Sequence, residues 1–343
     1  MSDDDAANEK PAAERYRFSV DPRQQPIRLD RYLHNRLEGL SRNKIQQGIA
    51  SGYVLVNNKV VKANYRVRPG DELIIRYPRE SNDLPLEPEN IPLDIVYEDD
   101  AVVVINKPAA MVVHPGAGNR SGTLVNALLY HFQQLPAMPG NELRPGLVHR
   151  LDKDTSGLLV VARHEQAMQH LARQFARHTV RRTYRALVWG DFRKDAGTIT
   201  SRIGRSQRNR KVMDVFDEDL SIGKPAITHY RVLERFYYVS LLECQLETGR
   251  THQIRVHMKH IGHPLFNDAT YGGNRILKGT LFPRYRQFVE HCFTLCPRQA
   301  LHAAQLSFIH PTSQKQMVFE APLPDDMQQL IDRWRNYVQQ YKN

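Results

Sequence analysis

Apolar positions along the chain recur with one of two periods, and the period changes where polar, glycine-rich or proline-rich stretches intervene. From Arg28 the pattern is helical, with Leu29, Tyr32, Leu33 and Leu37 on one face. Ser41 is placed to cap a second short helix, Arg42 to Ala50, which stops near Gly52. Val54-Leu55-Val56, an Asn57-Asn58 turn and Val60-Val61 read as a hairpin, and Pro69-Gly70-Asp71 turns the chain into Leu73-Ile74-Ile75. Residues 16–80 therefore form a small α+β unit, with helices first and sheet second. Residues 1–15 are polar, carry Asp3-Asp4-Asp5 and show no period, so a disordered tail is expected there. Pro85, Pro88 and Pro92 exclude a regular helix, and residues 81–92 are expected to be an interdomain linker.

Residues 93–343 read as a second domain rich in β-structure. Strands are expected at Ile95–Tyr97, Val102–Asn106, Leu158–Ala162, Tyr184–Trp189, Ile227–Leu233 and Val239–Leu246, with a late hairpin from Leu301–Phe308 and Gln316–Glu320. Helices are expected at Thr123–Tyr130, Glu165–Thr179, Thr251–Ile261 and near Asp325–Tyr341. Strands without a regular βαβ alternation argue for α+β, and no internal repeat is visible.

Composition narrows the partners. The 343 residues suit about two domains. They carry a formal net charge of +11, which favours polyanions, with nucleic acid ahead of an anionic membrane surface. No apolar run is long enough to span a bilayer, and the acidic first residues are unlike a signal peptide. Three cysteines, Cys244, Cys292 and Cys296, are an odd number for a disulfide framework. A cytoplasmic protein with reduced thiols and no membrane association is expected.

Four segments carry candidate chemistry. Gly146-Leu147-Val148-His149-Arg150-Leu151-Asp152-Lys153-Asp154-Thr155-Ser156-Gly157 is a polar turn at the mouth of an apolar strand, where sites are commonly built, although a bare D-x-D is more often a solvated turn. In Arg181 to Val188, Tyr184 shares a strand face with Ala186 and Val188, as a core residue or as a platform for a base. Glu247 to His260 reads as a turn entering a helix. Its apolar stripe is Ile254, Met258 and Ile261, while His252, Arg255 and Lys259 lie on another face, free to meet a partner or form a surface salt bridge. Ala110 to Gly118 contains a Gly-x-Gly without the G-K-[ST] of a phosphate loop, so nucleotide hydrolysis is not indicated.

In order and spacing, H-R-L-D-K-D-T-S-G, R-T-Y-R-A-L-V and E-T-G-R-T-H-Q-I-R-V-H-M resemble the motifs of the RluA/RluD family of pseudouridine synthases. I-V-Y-E-D-D, V-I-N-K-P, V-V-H-P-G-A-G and R-Q-A-L-H-A extend the likeness over roughly residues 90 to 322. The first unit, through R-L-D-R-Y-L and G-Y-V-L-V-N, resembles the S4 RNA-binding domain over about residues 17 to 78.

The resemblance implies a mixed, mainly antiparallel sheet with flanking helices, and isomerisation of a uridine in large-subunit 23S ribosomal RNA, either free or in a pre-ribosomal particle. The N1–C1′ bond breaks, uracil turns and C5 bonds to C1′, so no metal or other cofactor is required. It also implies that Asp152 is the catalytic carboxylate, as nucleophile or base, that Arg255 is its basic partner, and that Tyr184 stacks on uracil. Ile254, Leu151 and His149 would belong to the substrate pocket, and Arg150 would fill the space a flipped base leaves. Arg28, Arg31, Arg42 and Lys44 of the first unit, with Arg202, Arg205, Arg208, Arg210 and Lys211, are the expected phosphate contacts. Asp154 reads as a turn-former, because a uracil held and re-bonded needs no second acid. A monomer is expected. Two competing readings are weaker. Zinc chemistry at His257, His260, His263, His291, Cys292 and Cys296 lacks a second ligand pair such as C-x2-C, and a non-catalytic RNA-binding protein would not need Asp152, Tyr184 and Arg255 together.

Overall fold

The computed structural model describes residues 13–36, 42–77, 86–116, 119–132, 134–138, 143–209, 212–217, 220, 222–280 and 282–340. The chain divides into two units, residues 1–85 and 86–343.

The first unit contains β1 (Ala13–Ser19), α1 (Leu29–His34), α2 (Arg42–Ala50), β2 (Val54–Val56), β3 (Lys59–Val60) and β4 (Glu72–Tyr77). Its antiparallel sheet runs β1-β4-β2-β3. The predicted helical stripe is the core: Leu29, Tyr32 and Leu33 join Ile45 and Ile49 against Val54, Val56, Leu73 and Ile75. Asn57 and Asn58 both take positive φ, +49° and +62°, as a tight hairpin turn requires and as asparagine tolerates. The expected tail ends earlier than its composition suggests, because Ala13 begins a strand paired along β4. The order comes from a partner strand nearly sixty residues away, which no local period reveals. Residues 1–12, Leu37, the Ser41 cap and residues 81–85 lie outside the described residues.

The second unit contains β5 (Ile95–Glu98), β6 (Val102–Lys107), α3 (Leu124–His131), β7 (Ser156–Ala162), α4 (Glu165–Ala176), β8 (Arg181–Trp189), β9 (Ala196–Arg205), β10 (Met213–Phe216), β11 (Lys224–Arg235), β12 (Val239–Leu246), α5 (Gln253–His260), α6 (Pro283–Leu295), β13 (Leu301–Ile309), β14 (Gln316–Glu320) and α7 (Asp325–Gln340). One mixed sheet of ten strands runs β10-β9-β11-β12-β8-β13-β7-β6-β5, with β14 on β13. Its pairings are antiparallel except β7 with β13. The fold is α+β.

The two sheet faces sort the core. Ala186, Val188, Leu242 and Cys244 pack with α3 and with Ile254 and Met258 of α5. Leu187, Trp189, Val239 and Leu241 point the other way, onto α6 and α7. Gly157 marks a close approach. It has φ +112°, and a Cβ there would lie 2.3 Å from the Ala303 carbonyl oxygen on β13.

Three expectations need correction. Residues 86–92 are not linker. Leu86 packs on the core, Asn126 donates its side-chain amide to the Glu87 carbonyl at 2.7 Å, and the Glu89 carboxylate accepts the Gly122 N–H at 2.9 Å. The prolines forbid a helix without loosening the chain. The expected strands omit β9, to which Arg202 and Arg205 belong and whose inward positions Ile199 and Ile203 are hidden in the sequence by the polar and basic residues between them. Helix α6 has no counterpart among the expected elements, although Tyr285, Val289 and Cys292 follow helical spacing after Pro283, a residue favoured at a first helical position.

Candidate active site

The H-R-L-D turn, β8 and the start of α5 converge on one cavity of ≈ 450 Å³. His149, Arg150, Leu151, Asp152, Tyr184, Ile254 and Arg255 all line it. The sheet register explains this meeting. Tyr184 pairs with Cys244 on β12 and with Ala303 on β13, and Ala303 pairs with Gly157 at the end of the turn. Three segments distant in sequence are thereby held in adjacent rows.

The electrostatic centre is an arginine clamped between two aspartates. Arg255 Nη1 donates to Asp152 Oδ2 at 3.0 Å, while Nε and Nη2 donate to Asp268 Oδ2 and Oδ1 at 2.7 and 2.9 Å. The side chains of Asp268, Arg255 and Asp152 are 0%, 6% and 18% exposed, so exposure rises toward the cavity. Burial alone would lower the pKa of the guanidinium, but the ion pairs with Asp268 and then Asp152 raise it above its ordinary value. Asp268 also accepts the N–H groups of Thr270 and Tyr271. A forked donor whose position is fixed on one side can orient a carboxylate on the other. The helical pattern offers Arg255 a solvated face. The structure buries it, because Asp268 supplies the second acceptor that a buried cation needs. Asp268 lies in N-D-A-T-Y-G-G, a segment without a period, and nothing in the sequence marks it.

Tyr184 is nearly buried, which pushes its hydroxyl pKa up, and among the described residues that hydroxyl makes no hydrogen bond. Ile254 and Leu151 are core residues forming the apolar wall. Arg150 is exposed at the rim. His149 holds the turn together. Its Nε2 accepts the Val160 N–H at 3.0 Å, and its ring stacks on Phe175 at 4.5 Å. Burial and then Arg182 depress its pKa to about 3, so the ring is a neutral acceptor committed to the backbone.

Two further groups support the site. Gln253 staples the G-R-T-H-Q turn: its Oε1 accepts from Thr248 Oγ1 and the Arg250 N–H at 2.8 and 2.9 Å, and its Nε2 donates to the Ile227 carbonyl at 2.9 Å. Fully buried Lys107 donates to the carbonyls of Pro108, Met111 and Lys153 at 2.6, 3.0 and 3.0 Å, tying the loop after β6 to the residue following Asp152. Burial, with Arg298 nearby, lowers its pKa to about 7. Neither stands out as a residue in the sequence, where only the phrases containing them do. The Asp154 carbonyl accepts from Arg298 at 2.9 Å, and Asp154 does not line the cavity.

Among the expected phosphate contacts, Arg28 and Arg42 are half-exposed and held by fully buried Asp30, at 3.0 and 2.9 Å. Gln46 and the Arg31 N–H also donate to Asp30. Arg31 is exposed, as are Arg205 and Arg208. Arg202 is a structural strap, donating to the carbonyls of Ile222 and Gly223 at 3.1 and 2.9 Å. The Lys44 side chain, Arg210 and Lys211 lie outside the described residues. Of the metal candidates, His257 is bonded to Ser201 and Thr228 and His263 to the Trp189 carbonyl. No group of three potential ligands forms among the described residues. Nor, among them, is any helix long and apolar enough to cross a membrane.

Known proteins resemble this chain over most of its length. A family model for RNA pseudouridylate synthase matches residues 101–260, and one for the S4 domain matches residues 27–73. An uncharacterized RNA pseudouridine synthase of Chlorobaculum parvum is 48% identical, covering 92% of this chain and 96% of that protein. Ribosomal large subunit pseudouridine synthase D of Neisseria meningitidis serogroup B is 45% identical over 89% of this chain and 78% of its own length. The solved structure of human RNA Pseudouridylate Synthase Domain Containing 1 is 27% identical with a TM-score of 0.51, covering 72% of this chain and 96% of that one. The chain belongs to the RNA pseudouridine synthases, isomerases that act on RNA, and carries an S4 RNA-binding domain.

Proposed function

We propose that Asp152 is the carboxylate that attacks or deprotonates the target ribose, in a uridine of large-subunit ribosomal RNA. The observation that carries this reading is the half-open Asp152 carboxylate, fixed by a buried arginine and aimed into a cavity of nucleotide size. An anion in a pocket that partly excludes water is retained when a cation is already paired with it. Arg255 supplies that pairing and, through Asp268, costs no reorganisation during the reaction.

Tyr184 lines the same cavity. Its apolar ring supports the uracil plane, and its hydroxyl, kept protonated at neutral pH, relays the C5 proton only by passing its own to a water or another acceptor as it takes that one. Leu151 and Ile254 exclude water while the uracil turns. Arg150 enters the space left by the extruded nucleotide, a step that costs a few kcal/mol. Arg28, Arg31 and Arg42 of the S4 domain, with Arg205, Arg208, Arg210 and Lys211, contact phosphates. The protein works as a soluble monomer in the cytoplasm, on free or assembling ribosomal RNA. Several relatives' names include the large ribosomal subunit, which supports that choice of target.

Pseudouridine mapping of large-subunit RNA tests this. In a strain lacking the gene, one or more pseudouridines should disappear, return with the wild-type gene and stay absent with Asp152→Asn. An unchanged map would overturn the choice of target, and return with Asp152→Asn would overturn the choice of carboxylate.

A further inference from the structure

The residue before α5 has an unusual backbone. His252 adopts φ +56°, the left-handed region that costs a non-glycine residue about 1–2 kcal/mol. Its side chain caps no helix N–H. The ring instead lines the cavity, so the strained backbone places an imidazole beside Asp152.

Its hydrogen bonds fix the tautomer. Nδ1 lies 2.9 Å from the Tyr271 hydroxyl oxygen, which already accepts the Met213 N–H at 3.1 Å. Tyr271 is buried, so its hydroxyl proton needs an internal acceptor, and among the described residues His252 Nδ1 is the one in reach. With Nδ1 accepting, the proton of the neutral ring sits on Nε2. Burial lowers the pKa of His252, favouring this neutral form. Nε2 makes no hydrogen bond among the described residues and stands 3.8 Å from Asp152 Oδ1. The other carboxylate oxygen, Oδ2, is the one held by Arg255. The gap is too long for a direct hydrogen bond, and one oxygen with two bonds of about 2.8 Å spans it.

We propose that Asp152 Oδ1 and His252 Nε2 bracket the 2′-hydroxyl of the target nucleotide, which donates to the carboxylate and accepts from the imidazole. This rests on the reading of Asp152 as the carboxylate that acts on the ribose. An acceptor beside a donor selects a group able to do both. The uracil carbonyls only accept and would be repelled by Oδ1, and uracil N3–H only donates. In an internal nucleotide the 3′ and 5′ oxygens are esterified, which leaves the 2′-hydroxyl, carried by the carbon next to C1′. The pair therefore reads RNA against DNA at the reacting residue.

The test uses the full-length enzyme and the shortest large-subunit RNA fragment that it converts, with the target uridine as ribo- or 2′-deoxynucleotide. His252→Asn keeps a residue that tolerates the left-handed backbone, with a side chain too short to reach. Wild type should lose about tenfold in affinity on removal of the hydroxyl, and His252→Asn about tenfold on the ribo substrate. The variant should then lose less on the deoxy substrate than wild type does, because the hydroxyl's bond to His252 is already gone and only its bond to Asp152 remains to be lost. A deoxy penalty in the variant equal to that of wild type would overturn the proposal, as would variant binding of the ribo substrate as tight as wild type. An Asp152→Asn enzyme that still converts the ribo substrate would overturn the reading of the site beneath it. Loss of conversion in Asp152→Asn together with equal penalties would overturn the bracket alone.

Discussion

The two units use the same ion-pair chemistry with the charges reversed. In the S4 domain a fully buried acid, Asp30, holds two half-exposed cations, Arg28 and Arg42. In the catalytic domain a buried cation, Arg255, is anchored by buried Asp268 and presents the half-open acid Asp152. In both, an inner charge fixes the geometry of an outer one. The sign of the outer charge suits the proposed roles, cations for phosphate and a carboxylate for ribose chemistry. Without the inner residue the outer group would be mobile or uncompensated.

Breaking the catalytic arrangement should have the largest effect. Arg255→Leu leaves buried Asp268 without its cation, an uncompensated charge worth about 3–5 kcal/mol. The melting temperature should fall, and turnover should drop by about a thousandfold or more in a tritium-release assay at a temperature where the variant is folded. Near-normal turnover would remove Arg255 from the mechanism.

The S4 arrangement should respond to acid. Burial alone would raise the Asp30 pKa, but hydrogen bonds from Arg28, Gln46 and Arg42 bring it well below the usual carboxylate range. A depressed folded pKa gives stability that is complete above the unfolded value, about 3.9, and is lost as pH falls through and below it. Between about pH 5 and pH 2, wild type should therefore lose more stability than Asp30→Asn, and urea titrations across that range would show parallel losses if the ion pairs contributed nothing. The smallest effect belongs to a single outer cation. Arg42→Ala should weaken RNA binding a few-fold and reduce the slope of log affinity against log salt by about one, with turnover of bound RNA unchanged. A changed turnover would mean that Arg42 does more than hold phosphate.

Much of this architecture is legible in the sequence, and the gaps have physical causes. Asp152, Tyr184 and Arg255 stand in long ordered motifs, and the helical stripe of Leu29, Tyr32 and Leu33 packs as its period says. Asp268 is invisible there because its partner lies across a loop without a period, 13 residues away along the chain. His252 reads as part of a helix face, yet its position depends on a left-handed backbone that no side-chain pattern encodes. His149 shares the catalytic motif but spends its acceptor on the Val160 amide, a division that only the fold reveals. β9 is obscured by the polar and basic residues between its inward positions, and β1 by a pairing partner distant in sequence.

The most direct test of the central claim separates binding from chemistry in one substitution. Asp152→Asn preserves size and leaves the Arg255–Asp268 pair in place. With purified enzyme and RNA tritiated at uracil C5, affinity should stay within about threefold of wild type while single-turnover tritium release falls by at least about a thousandfold. Release from the variant at a rate near wild type would show that the carboxylate held by Arg255 is not the group that begins the isomerisation.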